Sequence, residues 1–524
     1  MSELEQNTSV KISLASRFEN FLGDKYNLMF IGILIFALFV RLYFVFLTRT
    51  QPLWWDEAEY FNIAKVWAFH IPWDINVQRP PLFPLLVAGI FKLGLGDLTA
   101  KFLLVVLPSL GIVAITYFLA RDLYNKKVAL LASAIMSVFW LLLFNTVRNH
   151  TDALAMFLGA FGVYLFWKGY VEKTNKTMIL LSAIILGLAF LVRLLSAMNI
   201  IVLLLFLIFT KHHKFVLDKN LWLAAAAGIL TIVPYFIWTK IKYGSAAAQV
   251  AAYSSALTGI TNKIAWHVFG FFNWYLLWIF LILFVVGLGL LLFDLAAGSD
   301  LFGKKEGREV NADLLMLLWV VSYVFYFVFV VRDVSTEDRW LLPMAIPLFI
   351  IAGKGIVFIF DQIKKYERRA AFAVVIILLL AGGYMQLARA EDTIISKAKT
   401  YSQEPFAGAW LKENTQPGDV IFSVNEQAPL TYYTNLKVVG FGENEQDTIN
   451  KIKKLRPKYL VVTAYFPSPQ WMFELPNKYD NIRPVQVFFE DAAKTQASIA
   501  IYEVIDYDNF RPKQVSPAVQ NTTS

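Results

Sequence analysis

Long apolar runs alternate with short polar stretches through the first three quarters of the chain. Most runs are close to 20 residues long, which is the length a helix needs to cross about 30 Å of hydrocarbon. Such runs predict eleven membrane-spanning helices, near residues 28–47, 100–120, 128–146, 152–170, 178–192, 195–210, 221–239, 270–293, 312–331, 340–360 and 370–388. The predicted fold class is therefore an all-α polytopic membrane domain.

One further apolar stretch, residues 81–93, is only 13 residues long. Segments of this length lie at a membrane interface more often than they cross it. If it does not cross and the N-terminus is cytoplasmic, five connections rich in Lys and Arg fall on the cytoplasmic side, at 121–127, 168–176, 211–219, 304–308 and 364–369. This arrangement follows the positive-inside rule. It predicts a multi-pass cell-membrane protein with interfacial helices in its first outer loop.

The pattern changes after residue 390, where short alternating strand signals such as DVIFSV and KYLVVT are mixed with helical segments. This mixture is typical of a small α/β domain. With an odd number of spans, the domain lies outside the cytoplasm. We therefore predict a cytoplasmic tail (1–27), a transmembrane domain (28–390) with its first outer loop at 48–99, an extracytoplasmic α/β domain (391–510) and a C-terminal tail (511–524).

The composition excludes several functional classes. The chain is 57% hydrophobic and 17% charged, whereas soluble proteins are about half apolar and a quarter charged. A soluble enzyme, a disordered chain and a nucleic-acid-binding module are therefore excluded, and basic residues beside membrane spans explain the net charge of +9. Because the chain has no cysteine, disulfides, thiolate metal sites and cysteine catalysis are excluded as well.

Acidic residues cluster directly after the first span, in the segment Trp54-Trp55-Asp56-Glu57-Ala-Glu59-Tyr60. About twenty residues later, Arg79 begins a second apolar helix. Further charged residues are expected on the same outer side: Arg148, Asp152, Arg193, Glu337 and Arg339. Each alone is typical of a membrane anchor, but several acids and arginines on one face indicate a binding cavity. Arginine suits a phosphate ligand because its planar fork donates two parallel hydrogen bonds.

The order of four motifs resembles the GT-C membrane glycosyltransferases. These motifs are WWDE at 54–57, RPPLFP at 79–84, RNHTD at 148–152 and EDRWLLP at 337–343. The similarity extends over about residues 28–360 and is nearest to the branch of protein O-mannosyltransferases and the bacterial lipid A aminoarabinose transferase. It implies a GT-C fold and an enzyme that takes a sugar from a polyprenyl-phosphate donor. The acceptor would be a protein, a lipid or a glycan on the extracytoplasmic side.

The resemblance also implies roles for individual residues. Asp56 matches the essential first-loop acid and Glu57 its neighbour, so both are predicted to be catalytic, with Asp56 as the base that activates the acceptor. Arg79 and Arg339 match arginines of the family motifs, and together with Arg193 they are predicted to bind the donor phosphate. The residues predicted to orient the acceptor or to pair with the arginines are Asp152, Arg148, Glu337 and Tyr60.

One departure concerns the position before Arg79. The aminoarabinose transferase branch has a Glu-Lys pair where this chain has Gln78-Arg79, and the missing acid weakens the case for a metal at this point. No cofactor is assigned from the sequence, and a divalent metal ion stays open. The identity of the sugar and the class of acceptor are open as well.

Two other functional classes fit a multi-pass membrane protein: a transporter or flippase of lipid-linked sugars, and a non-catalytic scaffold that displays the α/β domain. Transporters place charged groups near the bilayer midplane and usually contain inverted repeats. This chain concentrates its polar residues at one surface and has no internal repeat. A scaffold would leave the acidic and arginine residues unexplained. The sequence therefore favours the glycosyltransferase.

Overall fold

The computed structural model describes residues 21–249, 263–298, 307–330, 338–491 and 493–513. The first fifteen helices are α1 (Lys25–Leu47), α2 (Trp55–Phe69), α3 (Leu82–Lys92), α4 (Asp97–Lys101), α5 (Leu107–Leu123), α6 (Lys126–Val138), α7 (Trp140–Thr146), α8 (Asp152–Phe166), α9 (Lys176–Val192), α10 (Ala197–Lys211), α11 (Lys219–Tyr243), α12 (Lys263–Gly298), α13 (Gly307–Phe325), α14 (Ala345–Lys364) and α15 (Arg368–Ala398). The C-terminal part contains α16 (Glu404–Asn414), β1 (Val420–Ser423), α17 (Gln427–Thr434), β2 (Lys437–Gly440), α18 (Glu445–Leu455), β3 (Tyr459–Thr463), α19 (Gln470–Lys478), β4 (Ile482–Phe489) and β5 (Ala497–Val504).

The chain divides into two compact units. The helical unit comprises the residues up to 46, 103–147 and 151–392. The mixed unit comprises 47–102, 148–150 and the residues from 393 onward. The predicted first outer loop at 48–99 thus falls in the same unit as the C-terminal α/β domain.

Nine helices among the described residues are long and apolar enough to cross a membrane, or ten if the bent pair α6 and α7 forms one span. The remaining predicted span, 178–192, corresponds to α9, an apolar helix of 17 residues. The short stretch predicted not to cross is α3, whose 11 residues give a length of about 16 Å at 1.5 Å per residue. That is about half the thickness of the hydrocarbon core.

The helical unit contains two helix breaks, one between α6 and α7 and one within α12. Buried polar side chains form hydrogen bonds with backbone groups that lose their helical partners at these breaks. α6 and α7 meet at an angle of 53°, and α12 is interrupted at Leu277, where φ is +54°. The Gln386 side chain accepts a hydrogen bond from the Trp140 N–H (3.1 Å) and donates to the carbonyl oxygens of Tyr275 (2.8 Å) and Leu276 (3.1 Å). One amide therefore joins both breaks, as expected where no water can satisfy the backbone.

A buried arginine forms hydrogen bonds at the end of α6, just before the break between α6 and α7. Arg41 in α1 is fully buried and donates to the Ser137 carbonyl (3.1 Å) and to the Ser109 hydroxyl (2.9 Å). A cation at the C-terminal end of α6 also offsets the negative end of the helix dipole. The bend is thus held by specific hydrogen bonds.

The mixed unit contains a five-stranded sheet in the order β2-β1-β3-β5-β4. β1 pairs in parallel with β2 and β3, and β5 pairs antiparallel with β3 and β4. Alternate residues of β1 face opposite cores: Phe422 packs with Leu460 and Ile482, and Ile421 packs with Val461 and Ile499. The predicted α/β domain is therefore confirmed, with β2, α17 and α19 as elements that the sequence did not indicate.

α17 packs against α2 of the first loop. The Asn62 side chain donates to the Ala428 carbonyl (2.8 Å), and the Lys65 ammonium donates to the Tyr432 carbonyl (2.6 Å). The hydroxyl of Tyr433 accepts a hydrogen bond from the Leu53 N–H, just before α2 (3.3 Å). These contacts place the start of α2 against the C-terminal α/β domain.

Candidate active site

The start of α2 presents two adjacent carboxylates in its first turn, Asp56 and Glu57. The free N–H groups and the positive dipole end of a helix favour ionised acids at this position. Glu57 accepts a hydrogen bond from the backbone N–H of Trp54 (2.9 Å), which fixes the entry of the chain into the helix. The helix thus determines where both acids lie.

Arg79 lies between two carboxylates of α2. It contacts Asp56 Oδ1 through Nη2 (2.6 Å) and Glu59 Oε2 through Nε (2.6 Å). The second oxygen of Glu59 accepts a hydrogen bond from the Asn76 amide (2.9 Å), and the Tyr60 ring lies 5.2 Å from the guanidinium. Burial alone would lower the pKa of Arg79, but Tyr60, Asp56 and Glu59 outweigh it, so the pKa lies above its ordinary value. Arg79 is therefore a permanent cation.

Glu57 has a different environment from its neighbour. It forms an ion pair with Arg148, and these side chains are 1% and 2% exposed, against 23% for Asp56. The Asn149 N–H also donates to Glu57, and the Arg148 guanidinium lies over the Trp54 ring, 3.9 Å from its centre. Burial lowers the pKa of Arg148, and Glu57 partly offsets the effect. We call Asp56, Glu57, Glu59, Arg79 and Arg148 the loop cluster.

A second cluster lies in the helical unit, where Asp152 begins α8. Its Oδ1 atom is 2.7 Å from Arg193 Nη1, and its Oδ2 atom is 4.0 Å from Arg339 Nη1. Asp152 is buried at 3% exposure, whereas the arginines keep 19% and 14%. One carboxylate is thus in close contact with Arg193 and faces Arg339 at a longer distance, a set that we call the Asp152 cluster.

Comparisons with known proteins agree with this architecture. Residues 78–238 match the family model described as dolichyl-phosphate-mannose-protein mannosyltransferase. The fold is similar to that of ArnT from Cupriavidus metallidurans bound to undecaprenyl phosphate, with a TM-score of 0.64 and 13% identity over 90% of this chain and 97% of that chain. It is also similar to the oligosaccharyltransferase AglB from Archaeoglobus fulgidus in complex with an inhibitory peptide and a dolichol-phosphate, with a TM-score of 0.59 and 12% identity over 92% and 74% of the two chains. No curated protein is significantly similar in sequence.

The chain has the GT-C fold of these membrane enzymes. The resemblance drawn from the four motifs is confirmed, as is the predicted fold class. The matched segment contains Arg79, Arg148, Asp152 and Arg193.

The structure divides the predicted site residues between the two clusters. Asp56, Glu57, Arg79 and Arg148 lie in the loop cluster, with Tyr60 beside Arg79. Asp152, Arg193 and Arg339 form the other cluster. Glu337 lies outside the described residues.

Glu59 and Asn76 were not among the predicted site residues. Glu59 follows Asp56 by three positions, so helical spacing alone places both on one side of α2. Asn76 lies outside the helices, and nothing in the sequence indicated its contact with Glu59. Among the described residues, no group of three or more His, Asp and Glu side chains has the arrangement of a metal site.

Proposed function

We propose that this chain is a glycosyltransferase that transfers a sugar from a polyprenyl-phosphate donor to a protein, lipid or glycan acceptor. The matched family is described by a dolichyl-phosphate-mannose donor. The two similar solved structures contain undecaprenyl phosphate and dolichol-phosphate. A lipid phosphate is a good leaving group once cations balance its charge, so a second carboxylic acid, as glycoside hydrolases need, is not required.

We propose that the reaction takes place at the extracytoplasmic face. This assignment has the N-terminus in the cytoplasm and the C-terminal α/β domain outside. It is supported by the basic connections at 121–127, 168–176 and 364–369, which then face the cytoplasm. The loop cluster belongs to the same compact unit as the C-terminal domain and would share its compartment.

Asp56 is proposed as the general base, and its contact with Arg79 is the observation that carries this assignment. The carboxylate is partly exposed and lies 2.6 Å from a guanidinium, and an opposite charge at such a distance favours the anionic form, which can accept a proton. In the proposed step the acceptor oxygen bonds to the anomeric carbon and the acceptor proton moves to Asp56. The bond between the anomeric carbon and the phosphate oxygen breaks, and the lipid phosphate leaves with the electron pair.

The arginines are proposed to stabilise the developing phosphate charge, with Arg79, Arg193 and Arg339 as candidates. Preorganised guanidinium groups act in this way without reorganisation during the reaction. Glu57 and Arg148 saturate each other in a buried pair, so their proposed role is to position the start of α2. Tyr60, which lies beside Arg79, is proposed to orient the acceptor.

The test compares Asp56→Asn with Asp74→Asn, a matched change of an exposed aspartate in the same loop. Membranes that contain each variant are supplied with dolichyl-phosphate mannose or with undecaprenyl-phosphate sugars, and glycan mass spectrometry measures the product. General-base help is worth about 10² to 10⁴ in rate, so Asp56→Asn should lose about that factor while Asp74→Asn stays at the wild-type rate. Wild-type transfer by Asp56→Asn would contradict the assignment.

A further inference from the structure

Two glutamates of the C-terminal α/β domain form a buried acid pair that the proposed reaction does not use. Glu404 begins α16 and Glu426 directly precedes α17. They are 1% and 0% exposed, and each carboxyl group shifts the pKa of the other. Two carboxylates can only accept hydrogen bonds, and like charges at one buried site favour the protonated form of one of them.

The surroundings of the pair do not neutralise it directly. Among the described residues, no Lys, Arg or His lies within 4.0 Å of either carboxyl group, since neither glutamate appears in an ion pair. In the part of the chain that the structure describes, no residue provides a hydrogen-bond partner for Glu404 Oε2 or for either Glu426 oxygen, and all three atoms are buried. Burial raises the pKa of both groups, and each is raised or lowered further by the other.

Two of the charged groups that interact with Glu404 belong to the loop cluster. Glu404 interacts electrostatically with Arg148, which lowers its pKa, and with Glu57, which raises it. Tyr401 faces both glutamates, and its ring meets the Trp54 ring edge-on with centres 6.3 Å apart. Tyr433 faces Glu404 and Glu57, and its hydroxyl contacts the Leu53 backbone. The pair is thus linked to the start of α2 from two sides.

We propose that Glu404 and Glu426 are positioning residues that share one proton and act on the Glu57–Arg148 pair, so that loss of this proton disturbs the start of α2 and the position of Asp56. With the proton in place, the pair carries at most one negative charge. Without it, a second negative charge is buried near Arg148 and competes with Glu57 for the guanidinium. The proposal rests on the proposed function for its effect on activity, and on structure alone for its effect on stability.

The first experiment measures kcat/KM for sugar transfer between pH 6 and pH 9.5 in the full-length protein. Wild type should lose activity on the alkaline side. Glu404→Gln and Glu426→Gln should each remove this loss, because an amide cannot ionise and the pair can then carry only one charge. Glu413→Gln, a matched change of an exposed residue on α16, should keep the wild-type profile.

The second experiment measures thermal unfolding of the same proteins against pH, independent of activity. A native pKa above the unfolded value means that the folded state binds more protons, so stability falls as pH rises through the native pKa. Each extra bound proton changes the unfolding equilibrium by about tenfold per pH unit. Either glutamine variant should flatten this fall, and the shifts in melting temperature for Glu404→Gln and Arg148→Met should be non-additive because the two residues interact.

The outcomes separate the two proposals. Wild-type profiles of both activity and stability in both glutamine variants would overturn the acid pair. Flattened stability with an unchanged activity profile would overturn its effect on Asp56. If wild type transfers no sugar at all, the proposed function fails, and the stability profile together with the non-additivity test still decides whether the pair exists and acts on Arg148.

Discussion

Carboxylates outnumber arginines by three to two in the loop cluster, whereas arginines outnumber carboxylates by two to one in the Asp152 cluster. In the loop cluster one arginine, Arg79, lies between two carboxylates, Asp56 and Glu59. In the other cluster one carboxylate, Asp152, lies near two arginines. A surplus of carboxylate suits proton abstraction, whereas a surplus of guanidinium suits phosphate binding. The loop cluster is therefore the better candidate for the proposed base, and the Asp152 cluster is a candidate for the proposed phosphate contacts.

Replacing Arg148 by methionine should give the largest loss of stability. Removing one partner of a buried ion pair leaves an uncompensated charge and costs about 3–5 kcal/mol, and here Glu57 would be that charge. Thermal or denaturant unfolding in detergent measures the effect. The double variant Glu57→Gln/Arg148→Met should be more stable than Arg148→Met alone. A single variant as stable as wild type would show that the loop cluster does not depend on this pair.

Replacing Arg193 or Arg339 by alanine tests whether the Asp152 cluster binds the donor phosphate. A hydrogen bond to a charged group contributes about 1.5–3 kcal/mol, so kcat/KM for the donor should fall about 10- to 100-fold. Titration of the donor lipid at a fixed acceptor concentration measures it. Arg368→Ala, at an exposed position of the helical unit, is the control. If only Arg79→Ala weakens donor use, the phosphate is bound by the loop cluster and not by the Asp152 cluster.

Much of the fold was predictable because apolar length is a local property of the sequence. The predicted run at 370–388 corresponds to α15, and the stretch 81–93 corresponds to the short α3. The helix breaks were not predictable in the same way. Phe139 and Leu277 lie at the breaks, and neither is a glycine or a proline. The backbone groups released at these breaks are bonded by Gln386 of a distant helix, a contact that no local pattern indicates.

The candidate site was predictable as a set of residues but not as a set of contacts. Charge and position select Asp56, Arg79 and Arg148, yet nothing local shows that the buried partner of Arg148 is Glu57, 91 residues earlier. α17 was missed because its sequence QAPLTYYT contains a proline and β-branched residues with weak helix propensity. Its contacts with Asn62 and Lys65 of α2 stabilise it through tertiary packing.

Gln386→Leu tests how the helical unit is held together in contrast to the ion pairs of the mixed unit. The change leaves the Trp140 N–H and two carbonyl groups without their partner in a buried site. A buried unsatisfied polar group costs about 1–3 kcal/mol, so the melting temperature should fall. Tyr384→Leu, at a position of α15 that is 74% exposed, should have little effect. Equal stability of the two variants would show that the breaks do not need the glutamine.

Asp56→Asn should have the smallest effect on stability although it has a large predicted effect on activity. The Asp56–Arg79 pair is partly exposed, and pairs of this kind contribute about 1 kcal/mol or less. Arg79 also keeps its contact with Glu59, so the guanidinium stays in place when Asp56 loses its charge. Glu57→Gln, at the adjacent position, should be clearly more destabilising because Glu57 is buried against Arg148. Parallel unfolding curves of the two variants measure the difference, and equal losses would mean that Asp56 serves structure rather than chemistry.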